Sequence, residues 1–341
     1  MLSRAPISPR RYYPRRLAAW LLCLLGGYAL HANAATEPML SVFVSVLPLQ
    51  GLVEHVGGGR VAVQTLVQPG QSPHSYEPTP RQIAALAEAD LFVRTGVGFE
   101  AAAMPRIQAA NPTLPILDLR DGLPLRTLEA HDHDADEGSA HERGHGHRHD
   151  HAAADSDGEM PDSAAAAEAL DPHVWTSPPL VRRMAVAIRD RLTELDPAGA
   201  AVYAANQRRF DSALVGLDIE LRTRLGPLRH RRFLVYHPAW GYFAEAYGLT
   251  QIPIEREGKA PAARRLADLI DQARANDIRV IFVQPQFDRR MAERVAREIG
   301  GQVVSADPLA ADLFASLRHL ADLFIAANAP ASMPADARTD P

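Results

Sequence analysis

RVIFVQPQFDRRMAERVAREIGGQVVSA, residues 279–306, carries one complete architectural unit. The β-branched run RVIFV (279–283) reads as a strand, 288–299 as a helix, and QVVSA (302–306) as a second strand. Strands alternating with helices in this way build α/β folds. The alternation extends in both directions. Upstream lie FLVY (233–236), a strand around Thr250–Ile254, and a helix over 262–275 with Leu266, Leu269, Ile270 and Ala273 on one face. Downstream a helix covers 309–327.

The first half of the chain repeats the pattern more loosely. SVFVSV (41–46), VAVQTLV (61–67), DLFVRTG (90–96) and PILDL (115–119) read as strands, with helices over 81–89 and 100–110. Between the two sets, Ser177 can cap a helix that opens on Pro178 and Pro179 and carries Met184, Ile188 and Leu192 at helical spacing. A second helix starts near Pro197. Its face of Phe210, Leu214, Leu217, Leu221 and Leu225 carries it to Gly226, roughly 40 Å at 1.5 Å per residue. A helix of that length between two α/β sets reads as a spine joining two lobes.

The remaining segments are not lobe. Arg10, Arg11, Arg15 and Arg16 precede the apolar run LAAWLLCLLGGYAL, and Ala32-Asn33-Ala34 supplies a small-x-small cleavage pattern: a secretory signal peptide, with a membrane anchor as the plainer alternative. Leu21 and Leu22 are too bulky for a lipoprotein box around Cys23. Residues 129–170 hold alanines, acids and seven histidines with few large apolar side chains, a composition that cannot bury a core. The expected organisation is thus a signal peptide (1–34), an N-terminal lobe (35–196) with a disordered insertion (129–170), a linker helix (197–226), a C-terminal lobe (227–328) and a disordered tail (329–341).

Composition narrows the chemistry. Cys23 is the only cysteine and lies in the leader, so a metal site in the mature chain must use His, Asp or Glu. Residues 1–34 hold five arginines and no acid; removing them from a net charge of −5 leaves −10, which argues against a nucleic-acid partner. Lys259 is the only lysine, which we read as coding bias. Half of the 14 histidines (His131, His133, His141, His145, His147, His149 and His151) fall in the insertion, a tract that reads as accessory metal binding. Either it gathers zinc and passes it inward, or it is a dispensable solvated loop.

Three other histidines stand in proline-flanked turns: His74 in QPGQSPHSYEPTP, His173 in DPHVWTSP, and His237 after FLVY. Open α/β sheets bind ligands at the carboxyl ends of strands. His237 fits that rule well, His74 reasonably, and His173 only if the residues around Val174 join a sheet. Asp307 directly follows QVVSA. Three imidazoles and a carboxylate suit tetrahedral Zn²⁺, whose affinity should fall as pH drops through the imidazole range. An Asp before Pro is also an ordinary helix-start signal, which accounts for Asp171 and gives Asp307 a second explanation. His55, His230 and His319 lie in helical or basic surroundings and are left as structural. Tyr76, Trp175, Tyr236 and Trp240 could wall a site or serve the core. No HExxH motif is present and Glu77 is a weak general base, so no catalytic residue is assigned and the chain is not read as an enzyme.

PHSYEPTP (73–80), DPHVWTSPP (171–179), VYHPAWGYFAEAYGL (235–249), IEREGKAP (254–261), IFVQPQF (281–287) and SADPLA (305–310) together resemble the metal-specific solute-binding proteins of bacterial ABC importers, and the zinc-uptake members most. The resemblance runs in order from about Leu40 to Ala326. It implies two α/β lobes joined by a long rigid helix, with one ion in the cleft. The family's ligands fall on His74, His173 and His237, with the last acidic position on Asp307 or its place taken by water or a different acid. Manganese members resemble this pattern with a carboxylate third, so His237 favours zinc. Gln284 stands where many relatives have Glu, and the disulfide of some zinc members cannot form. The function implied is capture of Zn²⁺ as cargo in the periplasm and delivery to an inner-membrane ABC permease with a cytoplasmic ATPase. The chain is expected to be a monomer, with a periplasmic zinc chaperone as a second partner. The alternatives are a manganese or nickel carrier, a zinc hydrolase, and a zinc buffer or metallochaperone.

Overall fold

The computed structural model describes residues 39–128, 170–255 and 260–328. The segment expected to be a signal peptide, the seven-histidine tract and the tail lie outside them. From Leu40 onward the chain forms one compact unit.

Two four-stranded parallel sheets organise it. The first holds β1 (Leu40–Val44), β2 (Val61–Thr65), β3 (Leu91–Arg94) and β4 (Ile116–Asp118) in the order β2-β1-β3-β4. The second holds β5 (Arg232–Val235), β6 (Thr250–Pro253), β7 (Val280–Val283) and β8 (Gln302–Ser305) in the order β6-β5-β7-β8. The topology is the same in both. Because strand order reverses beside β1 and β5, a crevice opens at the carboxyl ends of the strands.

The helices follow the expected positions, with two additions. The first lobe carries α1 (Leu47–Gly57), α2 (Pro80–Ala87) and α3 (Gly98–Ala110); then come α4 (Pro178–Leu195) and α5 (Ala200–Leu225). The second lobe carries α6 (Gly241–Tyr247), α7 (Ala263–Ala275), α8 (Arg290–Ile299) and α9 (Leu313–Asn328). The sequence reading did not anticipate α1 or α6. Helix α1 buries Leu49, Leu52, Val53 and Val56, with Pro48 in its first turn where a missing N–H costs nothing. Ser177 occupies the residue before α4 but makes no side-chain cap. The cap is stronger before the spine: Asp196 accepts from the Gly199 N–H, and Pro197–Gly199 forms a short 3₁₀ turn leading into α5. Thr79 and Gln82 close a reciprocal capping box on α2.

Helix α5 spans 26 residues, about 40 Å. It buries Tyr203, Phe210, Leu214, Leu217, Leu221 and Leu225 along one face. One apolar cluster joins this face to both sheets, taking in Val42 and Phe92 of the first and Phe233 and Phe282 of the second. A smaller cluster, with Leu234, Ile281, Leu266, Leu269 and Val295, fills the outer face of the second sheet against α7 and α8. The lobes thus share a core through the spine, which limits how far they can move independently.

Candidate metal centre

His237 begins the construction. β5 ends at Val235, and the chain turns at His237-Pro238, leaving the ring 6% exposed at the sheet's carboxyl edge. Gln284, at the end of β7, clasps its backbone from both sides. Gln284 Nε2 donates to the His237 carbonyl at 2.6 Å, and the His237 N–H donates to Gln284 Oε1 at 3.3 Å. The ring stacks on Phe287 at 5.3 Å between centroids. Its Nδ1 lies 2.5 Å from Glu255 Oε1, a buried carboxylate that directly follows β6 and its exit residue Ile254.

His173 does not stand on a strand, contrary to the condition set for it above. It precedes a 3₁₀ turn, Val174–Thr176, and is fixed by Asp171, whose Oδ1 lies 2.7 Å from the ring Nδ1 and accepts from the His173 N–H at 3.0 Å. Trp175 then pins the turn to the other lobe, its Nε1 donating to the Pro308 carbonyl at 2.7 Å. His74 arrives on the long loop after β2. Its Nε2 lies 3.1 Å from His237 Nε2, which is itself 3.4 Å from His173 Nε2.

These partners decide the tautomers. A neutral ring that donates its Nδ1–H to a carboxylate carries a lone pair on Nε2. Asp171 and Glu255 therefore leave His173 and His237 facing each other across 3.4 Å with two lone pairs, which repel unless a proton or cation sits between them. Around a tetrahedral zinc with Zn–N near 2.05 Å, neighbouring nitrogens are roughly 3.3 Å apart, and the two separations observed bracket that value. No group of three or more His, Cys, Asp or Glu among the described residues is already set out as an ion-holding cluster. The imidazoles are in direct contact, and a cation would have to part them and take up the facing lone pairs.

The surroundings suit a small dication. The cavity lined by His74, His173 and His237 measures about 30 Å³, room for an ion and little else. Burial, then repulsion from His237 and His173, pushes His74 down to about 3. Burial lowers His237 as well, against the pull of Glu255. His74 is thus neutral well below the ordinary imidazole range and His237 is shifted in the same direction, so the affinity loss expected at pH near 6.5 moves to lower pH for these two ligands. Asp171 and Glu255, each 1% exposed, bring two negative charges to balance a dication.

Asp307 stands apart. Its Oδ1 accepts from Gln286 Nε2 at 3.1 Å and the Leu309 N–H at 2.9 Å, and it lines an adjoining cavity of about 210 Å³ rather than the imidazole one. Three of the four expected ligands are brought together, and the fourth is held beside them. Sequence reasoning missed Glu255 and the role of Asp171. Glu255 was findable by the strand-end rule that singled out Asp307. Of the four aromatics, Trp175 walls the cavity, Tyr236 packs on Phe287 behind it, and Tyr76 and Trp240 lie outside the lining.

Two parallel-sheet lobes on a common spine, with imidazoles from both meeting at the strand ends, define a two-lobed solute-binding architecture. The profile of the family described as "Zinc-uptake complex component A periplasmic" (ZnuA) matches residues 42–326, and the chain belongs to that family. The chain is 35% identical over 281 residues to the high-affinity zinc uptake system protein ZnuA of Paracoccus denitrificans, covering 81% of this chain and 84% of that one. The Haemophilus influenzae protein of the same name is 33% identical over 301 residues, covering 82% and 89%. A crystal structure of ZnuA superposes with a TM-score of 0.72 at 36% identity, covering 85% of this chain and 99% of that chain.

Proposed function

We infer that this chain captures Zn²⁺ in the periplasm as the binding component of an ABC importer and hands it to a membrane permease driven by a cytoplasmic ATPase. The ligands in this reading are His74, His173 and His237. The fourth position goes to a solvent oxygen while Asp307 remains engaged by Gln286 and Leu309. One observation carries the reading: two Nε2 lone pairs, imposed by buried carboxylates, face each other at 3.4 Å with a third imidazole at 3.1 Å. Imidazole in place of a carboxylate at position 237 favours zinc over manganese, since nitrogen donors suit the borderline ion better. Three neutral ligands whose neighbouring carboxylates, Asp171 and Glu255, are engaged with the ring Nδ1 atoms suit a carrier rather than a hydrolase. The signal peptide, a monomeric state and a periplasmic zinc chaperone belong to the same proposal.

Competitive chelator titration of the mature protein with Zn, Mn, Ni and Cu tests it. Zinc should bind tightly at one site, and His237→Ala should weaken it by well over a hundredfold, because a ligand and its carboxylate partner are both lost. A loss of threefold or less would reject His237 as a ligand. A transport defect at limiting zinc on gene deletion would distinguish a carrier from a periplasmic buffer.

A further inference from the structure

Behind His173 lies a cluster that the ligand set does not use. Asp171 turns one carboxylate oxygen to the His173 ring and the other to Arg126, whose Nη1 is 3.5 Å away. Arg126 reaches Asp171 from the opposite side of a neck in the chain. Thr127 and Leu170 pair as an antiparallel bridge, and the Asp171 N–H donates to the Arg126 carbonyl at 2.9 Å. The second lobe closes on this neck with Tyr242 of α6. Its hydroxyl accepts from the Arg126 N–H at 3.1 Å and donates to the Asp171 carbonyl at 3.0 Å. The guanidinium sits 5.9 Å from the centre of the Tyr242 ring, and Glu245 lies 3.9 Å from its Nε.

Gly241 makes room for this arrangement. A Cβ there would overlap the Arg126 guanidinium and come within 2.8 Å of Asp171 Oδ2, so α6 can approach the ion pair only without a side chain at 241. Tyr242 is 3% and Asp171 1% exposed, so the carboxylate side of the contact is buried while Arg126 keeps some access to solvent.

We propose that Arg126 is a positioning residue for the metal centre: braced by Tyr242 across the lobe boundary, it orients Asp171 so that His173 presents its Nε2 lone pair to the cation. The role presupposes the zinc site proposed above. It joins first-lobe neck, second-lobe helix and ligand in one chain of contacts, so the closed arrangement of the lobes and the readiness of His173 depend on each other. A residue supporting a ligand in this way is worth about ten- to a hundredfold in affinity.

The test is a double-mutant cycle on the full mature chain. Arg126→Gln should weaken zinc about ten- to a hundredfold, and Tyr242→Phe, which keeps the ring, several-fold. In an Asp171→Asn background Arg126→Gln should cost almost nothing further, because Arg126 acts through that carboxylate. Additive losses would overturn the proposal by making Arg126 merely structural, as would an Arg126→Gln affinity within threefold of the parent. Gly241→Ala, which displaces the guanidinium without removing it, should reproduce the loss if Arg126→Gln folds poorly. A metal-independent readout separates this idea from the zinc reading. Long-range ¹⁵N–¹H spectra of the zinc-free parent should show His173 protonated at Nδ1, and Arg126→Gln should blur that tautomer preference. An unchanged His173 pattern overturns the positioning role even if zinc never binds.

Discussion

Zinc and protons compete for the same imidazole lone pairs, so the environment of each ring sets the pH range in which the site works. His74 falls to about 3 from an ordinary 6.5, and burial lowers His237 too. Three imidazoles of ordinary pKa would lose about tenfold each between pH 7.5 and 5.5. Here His74 should contribute nothing to the loss over that interval and His237 less than about tenfold, so a pH series of Kd values showing a loss near a thousandfold would refute the lowered values. Stability runs in the same direction. Between 6.5 and about 3 the unfolded chain binds a proton at His74 that the folded chain refuses, so the zinc-free protein should lose stability as pH falls through that window. Glu255 is the second residue-scale test. It is 1% exposed, one oxygen holds His237 Nδ1, and the other has no hydrogen-bond partner among the described residues. Glu255→Gln keeps the volume but removes the charge and lets the amide present either end to the ring. Zinc binding should weaken about ten- to a hundredfold, while an unchanged Kd would make Glu255 a bystander.

Elements deliver these residues, and the spine is the element on which both lobes depend. Its entry is tied by Asp196, which accepts from Arg60 Nε at 2.7 Å, from the Tyr203 hydroxyl at 2.5 Å and from the Gly199 N–H at 3.3 Å. Arg60 and then Tyr203 hold this carboxyl at about 2, below its ordinary 3.8, so its contribution is present above 3.8 and lost as pH falls through about 2. Asp196→Ala should cost about 2 kcal/mol, the sum of a lost cap and a lost charge-assisted bond, visible as a few degrees of melting temperature; an unchanged melting curve would dismiss the knot. The two sheets were legible in the sequence because their strands are short β-branched runs bounded by turns, most plainly the fully buried Val280–Val283. Helix α1 was not, because Pro48 and Gly51 interrupt a pattern that only packing on the sheet completes. Helix α6, at seven residues, carries too little periodicity to read. The three histidines were legible because each stands apart from the tract, beside a proline in a turn or loop. Asp171 was hidden by a sufficient local explanation, and Glu255 by the distance in sequence that separates it from His237. Asp307 was read correctly as a strand-end carboxylate, but its direction is set by Gln286 and the Leu309 N–H, which sequence does not show.

At the scale of the molecule, the proposed place for the cation is where the lobes meet. His74 and His173 come from one side and His237 from the other, and Trp175 and Tyr242 already bridge the same seam. A ligand that binds only when all three imidazoles are assembled stabilises that assembly by mass action, about 4 kcal/mol when free zinc exceeds Kd a thousandfold. The melting temperature should therefore climb with zinc concentration and stop doing so in His237→Ala. The histidine tract tests the same logic from outside. Among the described residues, His74, His173 and His237 have their partners outside 131–151, and the Thr127–Leu170 bridge joins the two ends of the neck. Deleting 131–151 should therefore leave one tight zinc per chain, with Kd within about threefold of the parent, while the weaker equivalents bound by the parent disappear. Metal analysis after dialysis against graded chelator reads both quantities at once. A deletion variant that loses tight zinc would place ligands in the tract and overturn the three-imidazole centre. One that keeps tight zinc but fails to support growth at limiting zinc would make the tract a collector; normal growth would make it dispensable.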